Sequence, residues 1–335
     1  MEAALTPVDQ PTAPLGLVEK TRIGAAVAAA ALLLYTMGWM VARPHDPNLA
    51  VTFVRSGRAV AATWPTLAVL TVVAGIIGTV LAGPRLPEAG VFAAAIGLAV
   101  LSLRGGSMQV LLAAEQATTE PARQAFMTAM ALDCLLWSGI LLATWVAVTW
   151  AWRWVWLNGN APALLSGKPA TSAAAPSAAK PAGGPGKAPK SASAAGTGAG
   201  WSALVVTGVV GVFVVWLTAG RTPVANVHRG QTIAAVAAGL YLGAMAARYF
   251  TGVRDVRWYA LAVPAVGLTA YLVGYLSSDM QWAEGPPYHY YKYLATTPSH
   301  DLARPLPIEF VAVGMAAVLA GYWGGDKVEQ VATRE

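Results

Sequence analysis

The stretch NGNAPALLSGKPATSAAAPSAAKPAGGPGKAPKSASAAGTGAG, residues 158–200, has no acidic residue and almost no large apolar side chain. A segment of Ala, Pro, Gly, Ser and Lys cannot bury enough surface to offset its ordering entropy, so it is expected to be a disordered linker. The stretches on either side are strongly apolar, similar in length, and read as two copies of one unit. The expected organisation is a cytoplasmic N-terminal tail (1–21), a first four-helix membrane repeat (22–157), the linker, a second four-helix repeat (201–325) and a C-terminal tail (326–335).

Apolar residues make up 56% of the 335-residue chain and charged residues 11%. Soluble domains carry about a quarter charged residues. The deficit places the chain in the polytopic membrane class, with the lipid bilayer as its first partner. The formal charge of +6 is not a nucleic-acid signature, because the basic residues are scattered through short loops and the linker. Cys134 is the only cysteine, which excludes an internal disulfide and any CxxC site. The apolar run after Lys20 and Arg22 is long for a signal peptide and lacks a following A-x-A site, so it reads as an uncleaved first span.

The fold expected is all-α and polytopic, with eight spans at roughly 22–42, 61–83, 87–104, 126–151, 202–219, 231–250, 257–277 and 307–324. The repeat rests on order and spacing. GGSMQ at 105–109 matches SSDMQ at 277–281, and Ala117-Thr118-Thr119 matches Ala295-Thr296-Thr297. Ala122-Arg123 likewise matches Ala303-Arg304. An even number of spans per unit makes the copies parallel rather than inverted. Thirteen Lys and Arg fall on the side of the N-terminus and nine on the other. The positive-inside rule therefore puts both termini and the linker in the cytoplasm, with the chain in a cell inner membrane.

Two acidic residues fall within or at the edge of the spans. Asp133 lies in FMTAMALDCLLW and Glu309 near the start of the eighth span. Intramembrane carboxylates are costly and face the bundle interior or a watery cavity. They read either as a coupling pair for a cation or proton, or as structural groups paired to a loop arginine (Arg104 or Arg123) or to backbone. A second candidate is the loop 279–307, a surface for a partner or ligand. It carries Trp282, Tyr288, His289, Tyr290, Tyr291, Tyr293, His300 and Asp301. An interfacial aromatic belt is the plainer reading of those rings. No metal-ligand spacing occurs there, and no histidine lies in a span to hold a membrane haem. Trp145, Trp150, Trp152, Trp154 and Trp156 crowd one end of the fourth span and read as an interfacial anchor.

WYALAVPAVGLTAYL (258–272) resembles the second helix of microbial rhodopsins, and YKYLATTP (291–298) resembles the start of their third. Those proteins hold retinal on a lysine in the middle of the last helix. No lysine lies within any span here, so no residue, cofactor or activity carries over.

No nucleophile motif, phosphate loop or carboxylate cluster is present to name a catalytic residue. The expected function is a non-catalytic membrane subunit or scaffold that binds protein partners through its extracytoplasmic loops. The alternative is a small-solute or ion transporter with Asp133 and Glu309 as coupling carboxylates. A third reading is an interfacial enzyme handling lipid or quinone, using Asp279, His289, His300 or Asp301.

Overall fold

The computed structural model describes residues 16–115, 117, 119–157, 197–219, 229–277, 298 and 300–332, with side chains through 325 in the last segment. No strand occurs among the described residues. Nine helices occur among them: α1 (Leu17–Ala42), α2 (Val60–Ala82), α3 (Ala89–Ser102), α4 (Met108–Glu115), α5 (Glu120–Trp156), α6 (Thr197–Thr218), α7 (Arg229–Thr251), α8 (Val256–Leu276) and α9, whose opening π turn Glu309–Val313 runs into Gly314–Ala332. A single 3-10 turn, Asp301–Ala303, precedes α9.

Among the described residues, six helices are long and apolar enough to cross a membrane: α1, α2, α5, α6, α7 and α8. The expected third and eighth spans coincide with shorter apolar helices, Ala89–Ser102 and Glu309–Gly325. Four of the six long helices, α1, α5, α6 and α7, outrun their hydropathy limits, whereas α2 and α8 match theirs to within one residue. Helix α1 starts at Leu17 rather than residue 22, because Glu19 caps the backbone N–H of Gly16 and also pairs with Arg85. Helix α5 starts at Glu120 rather than 126, with Pro121 in its first turn, where the missing N–H costs nothing. The linker limit at 200 also moves. Thr197–Gly200 is the first turn of α6, and Gly200 is buried against the Trp258 ring. The rest of the linker lies outside the described residues.

In the first half α1 packs on α2 and α3, and α2 and α3 pack on each other and on α5. In the second half α6 packs on α7 and α8, and α9 packs on both α7 and α8. The halves meet where α5 lies along α8 and α3 lies along α9. Small residues set these distances. A Cβ on Gly243 would sit 2.6 Å from the Thr207 carbonyl of α6, so the Gly239/Gly243 pair packs inside the chain. A Cβ on Gly90 of α3 would collide with Thr79 Oγ1 and the Gly75 carbonyl of α2. Gly90→Ala is therefore expected to cost about 1–3 kcal/mol, read as a lowered Tm in detergent. An unchanged Tm would mean that α2 and α3 can separate freely.

At one end of the bundle, here called the linker face, Trp152 Nε1 donates to the Pro84 carbonyl at 3.1 Å. Trp150 and Trp154, 67% and 52% exposed, point outward beside it. This is the geometry of an interfacial anchor. The opposite end, the loop face, carries the α1–α2 connection, α4 and the turn before α9.

Candidate functional site

The α1–α2 connection does not stay at the surface. Ala50, Val51, Thr52 and Phe53 are buried, with 0–3% of their surface exposed. Phe53 lies on the Trp137 ring of α5 at a centroid distance of 4.4 Å. A loop folded into an apolar bundle brings its backbone N–H groups with it, and each must find an acceptor. Asp133 supplies one. Its Oδ1 accepts from the Phe53 and Val54 N–H groups at 2.6 and 3.0 Å, and its Oδ2 accepts from Trp137 Nε1 at 3.2 Å. Asp133 itself has no exposed surface. Trp64, in the second turn of α2, donates to the Leu136 carbonyl at 2.9 Å. Asp133, almost a turn nearer the loop face than Leu136, is thus level with the start of α2 rather than at mid-bundle.

Of the structural partners that the sequence offers for Asp133, a loop arginine (Arg104 or Arg123) or backbone, the structure supplies backbone, together with the Trp137 indole. Arg104 goes elsewhere, to the Tyr35 carbonyl at 2.8 Å, with its guanidinium over the Tyr35 and Trp39 rings. Tyr35 stands in the π turn Leu34–Gly38 of α1, where the widened turn frees a carbonyl for an outside donor. Above the folded-in loop, Arg55 pairs with Glu115 of α4 at 2.9 Å.

Glu309 opens the π turn of α9 and is 2% exposed. Its Oε1 accepts from Arg229 Nε at 2.7 Å and its Oε2 from the Leu306 N–H at 2.9 Å. Arg229, the first residue of α7, also donates through its two terminal nitrogens to the Gly105 and Ser102 carbonyls. Those carbonyls lie at and just beyond the C-terminus of α3, and the Ser102 carbonyl also accepts the Gly105 N–H at 3.2 Å. One guanidinium thus joins its own half to the other. Beside it lies a cavity of about 20 Å³, lined by Ser107, Gln109, Thr232, Arg304 and the Arg229–Glu309 pair. That volume suits a single water. Arg304 pairs with Asp301 at 2.6 Å, and its buried Nε has no hydrogen-bond partner among the described residues.

Asp133 and Glu309 are therefore not brought into one cluster by shared ligands, since each binds a different set of groups. Of the aromatic loop, His300 and Asp301 are described, whereas Trp282, Tyr288, His289, Tyr290, Tyr291 and Tyr293 lie outside the described residues. Among the described residues no group of three His, Cys, Asp or Glu could hold a metal ion. Arg229 is the residue that sequence reasoning missed. It reads as one of many basic residues flanking spans, and nothing in its neighbours marks it as a bridge.

His300 caps the 3-10 turn, with its Nδ1 accepting from the Leu302 N–H at 3.2 Å. Burial pushes its pKa below the ordinary histidine value, with Asp301 opposing and Arg304 adding to the shift. A lowered folded pKa means that the cap's contribution is whole above the unfolded value, about 6.5. It is lost as pH falls from there through the folded value, because the unfolded chain takes the proton first. The Leu302 amide is expected to lose hydrogen-exchange protection over that acid interval, and His300→Asn to remove the pH dependence. Protection that stays flat in the wild type would contradict the cap.

Six apolar helices of crossing length, joined at one face by a buried ion pair and loop clasps, define a multi-pass α-helical membrane protein. No protein family matches the chain, and no curated protein or solved structure resembles it at a significant level.

Proposed function

We propose that the chain is a non-catalytic integral membrane subunit that holds protein partners of a membrane complex at its loop face. The observation that carries this reading is how the two buried carboxyl groups are used. Asp133 binds Phe53, Val54 and Trp137, and Glu309 binds Arg229 and Leu306. Both are spent on holding loops and helices of the same chain, which is a scaffold's use of charge.

The same proposal takes the chain as eight spans in two tandem four-helix repeats. Matching α1, α2, α3 and α5 with α6, α7, α8 and α9 turns four of the first half's contacts into four of the second's: α1–α2, α1–α3, α2–α5 and α3–α5. The α2–α3 contact has no counterpart of similar extent. Between the halves, α5–α8 and α3–α9 exchange under the same matching, as a twofold axis along the membrane normal requires. The short helices α3 and α9 then serve as the third and eighth spans, lying against each other. The excess of Lys and Arg at the linker face supports cytoplasmic termini and linker in a cell inner membrane.

Gentle-detergent purification from the native host, followed by mass spectrometry, tests the subunit reading. Stoichiometric proteins are expected, and Tyr290→Ala with Tyr291→Ala should release them. A solitary protein would overturn it.

One observation favours a second reading, a small-solute or ion transporter with Asp133 and Glu309 as coupling carboxylates. The Arg229–Glu309 pair and its cavity lie between the halves, where transporters built from repeats place their sites. In that case Asp133→Asn abolishes uptake or proton coupling in vesicles, and wild-type rates remove the idea.

A further inference from the structure

We propose that the groove between α6 and α8 binds an uncharged quinone, with its ring at His300 and its apolar tail lying along the two helices. The groove is independent of the scaffold reading and of the seam between the halves. Its volume is about 660 Å³, within the range of small-molecule sites. It runs along α6 from Leu204 to Trp216, about 18 Å of helix rise. Val266, Thr269 and Val273 of α8 form the other wall.

The walls are apolar along almost their whole length, and the polar group comes at the loop-face end. There the turn Asp301–Ala303 packs against α6 and presents His300 and Leu302 to the groove. Because Nδ1 of His300 accepts from the Leu302 N–H, the ring proton of the neutral imidazole sits on Nε2. Burial favours that neutral form. The site thus offers an uncharged imidazole N–H donor at the mouth of a largely apolar channel.

The charge around that donor selects the occupant. Asp301, 32% exposed, stands next to it in sequence, and Arg304, which pairs with Asp301, lines the seam cavity. Among the described residues that line the groove no side chain carries a fixed charge, so an anionic phosphate finds no counter-charge there. A carbonyl oxygen on a planar uncharged head accepts from Nε2–H and needs no counter-charge. Trp216 and Phe213, 39% and 55% exposed, give the head aromatic surface at the same end. Rings pack on such surfaces in offset or edge-on geometry. The tail needs only an apolar track open to the bilayer, which Val205, Gly208, Val209 and Val212 provide.

Photolabelling of the full chain in phosphatidylcholine nanodiscs with an azido derivative of decylubiquinone tests the site. Label is expected in α6 and α8 peptides and should be displaced by decylubiquinone but not by phosphatidylglycerol. Two variants act from different walls. His300→Asp keeps an acceptor for the Leu302 N–H but removes the donor and adds charge. Gly208→Phe fills the groove where a Cβ would meet no atom within 4 Å, so the bundle packing is left alone. Each should cut labelling about tenfold, the scale of one lost hydrogen bond or a blocked track. Labelling unchanged in both variants would overturn the proposal. Equal displacement by phosphatidylglycerol would also overturn it, assigning the groove to bulk lipid.

Discussion

Arg229→Met is expected to lower stability by about 3–5 kcal/mol, the scale for removing one partner of a buried ion pair. The loss has two parts. Glu309, 2% exposed, keeps only the Leu306 N–H. The Ser102 and Gly105 carbonyls at the end of α3 lose their donor from the other half. The second part makes the damage directional, so the halves should separate before either unfolds. Cys134 reports that opening without any added label site, because it is the sole cysteine and is buried against α8. A Cβ on Gly267 of α8 would lie 2.8 Å from its Sγ. If opening controls access, a loss of about 3 kcal/mol raises the maleimide reaction rate about a hundredfold. Arg229→Lys should fall between, since an ammonium cannot reach three acceptors with the fixed fork of a guanidinium. Arg229→Met with Glu309→Met should recover only the part due to the uncompensated Glu309 charge, since the Ser102 and Gly105 carbonyls and the Leu306 N–H still lack their partners. Wild-type labelling in Arg229→Met would show that apolar packing of α5 on α8 holds the seam alone.

What the sequence makes legible here follows from what hydropathy measures. It reports the part of a helix that lies in hydrocarbon, so all six long helices were visible, and α2, α7 and α8 to within two residues at each end, whereas the starts of α1, α5 and α6 were not. Glu19, Lys20 and Glu120 are polar enough to mark a boundary, yet each is a good helix former, and α1 and α5 continue through them. Helix α4, eight residues long, falls below any membrane window. The Gly-rich turn at 197–200 reads as linker until Trp258 is known to cover Gly200.

The candidate site divides along the same line. A carboxylate inside an apolar helix is conspicuous in any sequence, which is why Asp133 and Glu309 stood out. Backbone could be named as a partner for Asp133, but not which backbone, because amides carry no sequence signature and those of Phe53 and Val54 come from eighty and seventy-nine residues away. A trace was available in the run Ala50-Val51-Thr52-Phe53, an apolar patch within an otherwise polar connection. Such a patch has reason to fold inward, and a loop that does so needs a buried acceptor.

Asp133 is therefore the position where the scaffold and transporter readings diverge most sharply. Asp133→Ala leaves the Phe53 and Val54 N–H groups and the Trp137 indole without their acceptor, all in buried surroundings. At about 1–3 kcal/mol for each buried donor left unpaired, and with water able to reach some of them after relaxation, the expected cost is about 2–5 kcal/mol. The damage should centre on the α1–α2 connection, seen as lost exchange protection at Phe53 and Val54, while α6–α9 stay protected. Asp133→Asn is the discriminating change. Its amide oxygen still accepts from the loop amides, but its NH2 faces the Trp137 N–H donor to donor. A clasp should then lose about 1–2 kcal/mol and keep the loop in place. A coupling carboxylate tolerates no such exchange, because the amide cannot take up or release a proton at any accessible pH. Retained loop protection together with abolished uptake would shift the assignment to transport. Retained protection with co-purifying partners still bound would leave Asp133 as the anchor that keeps the loop face in shape for them.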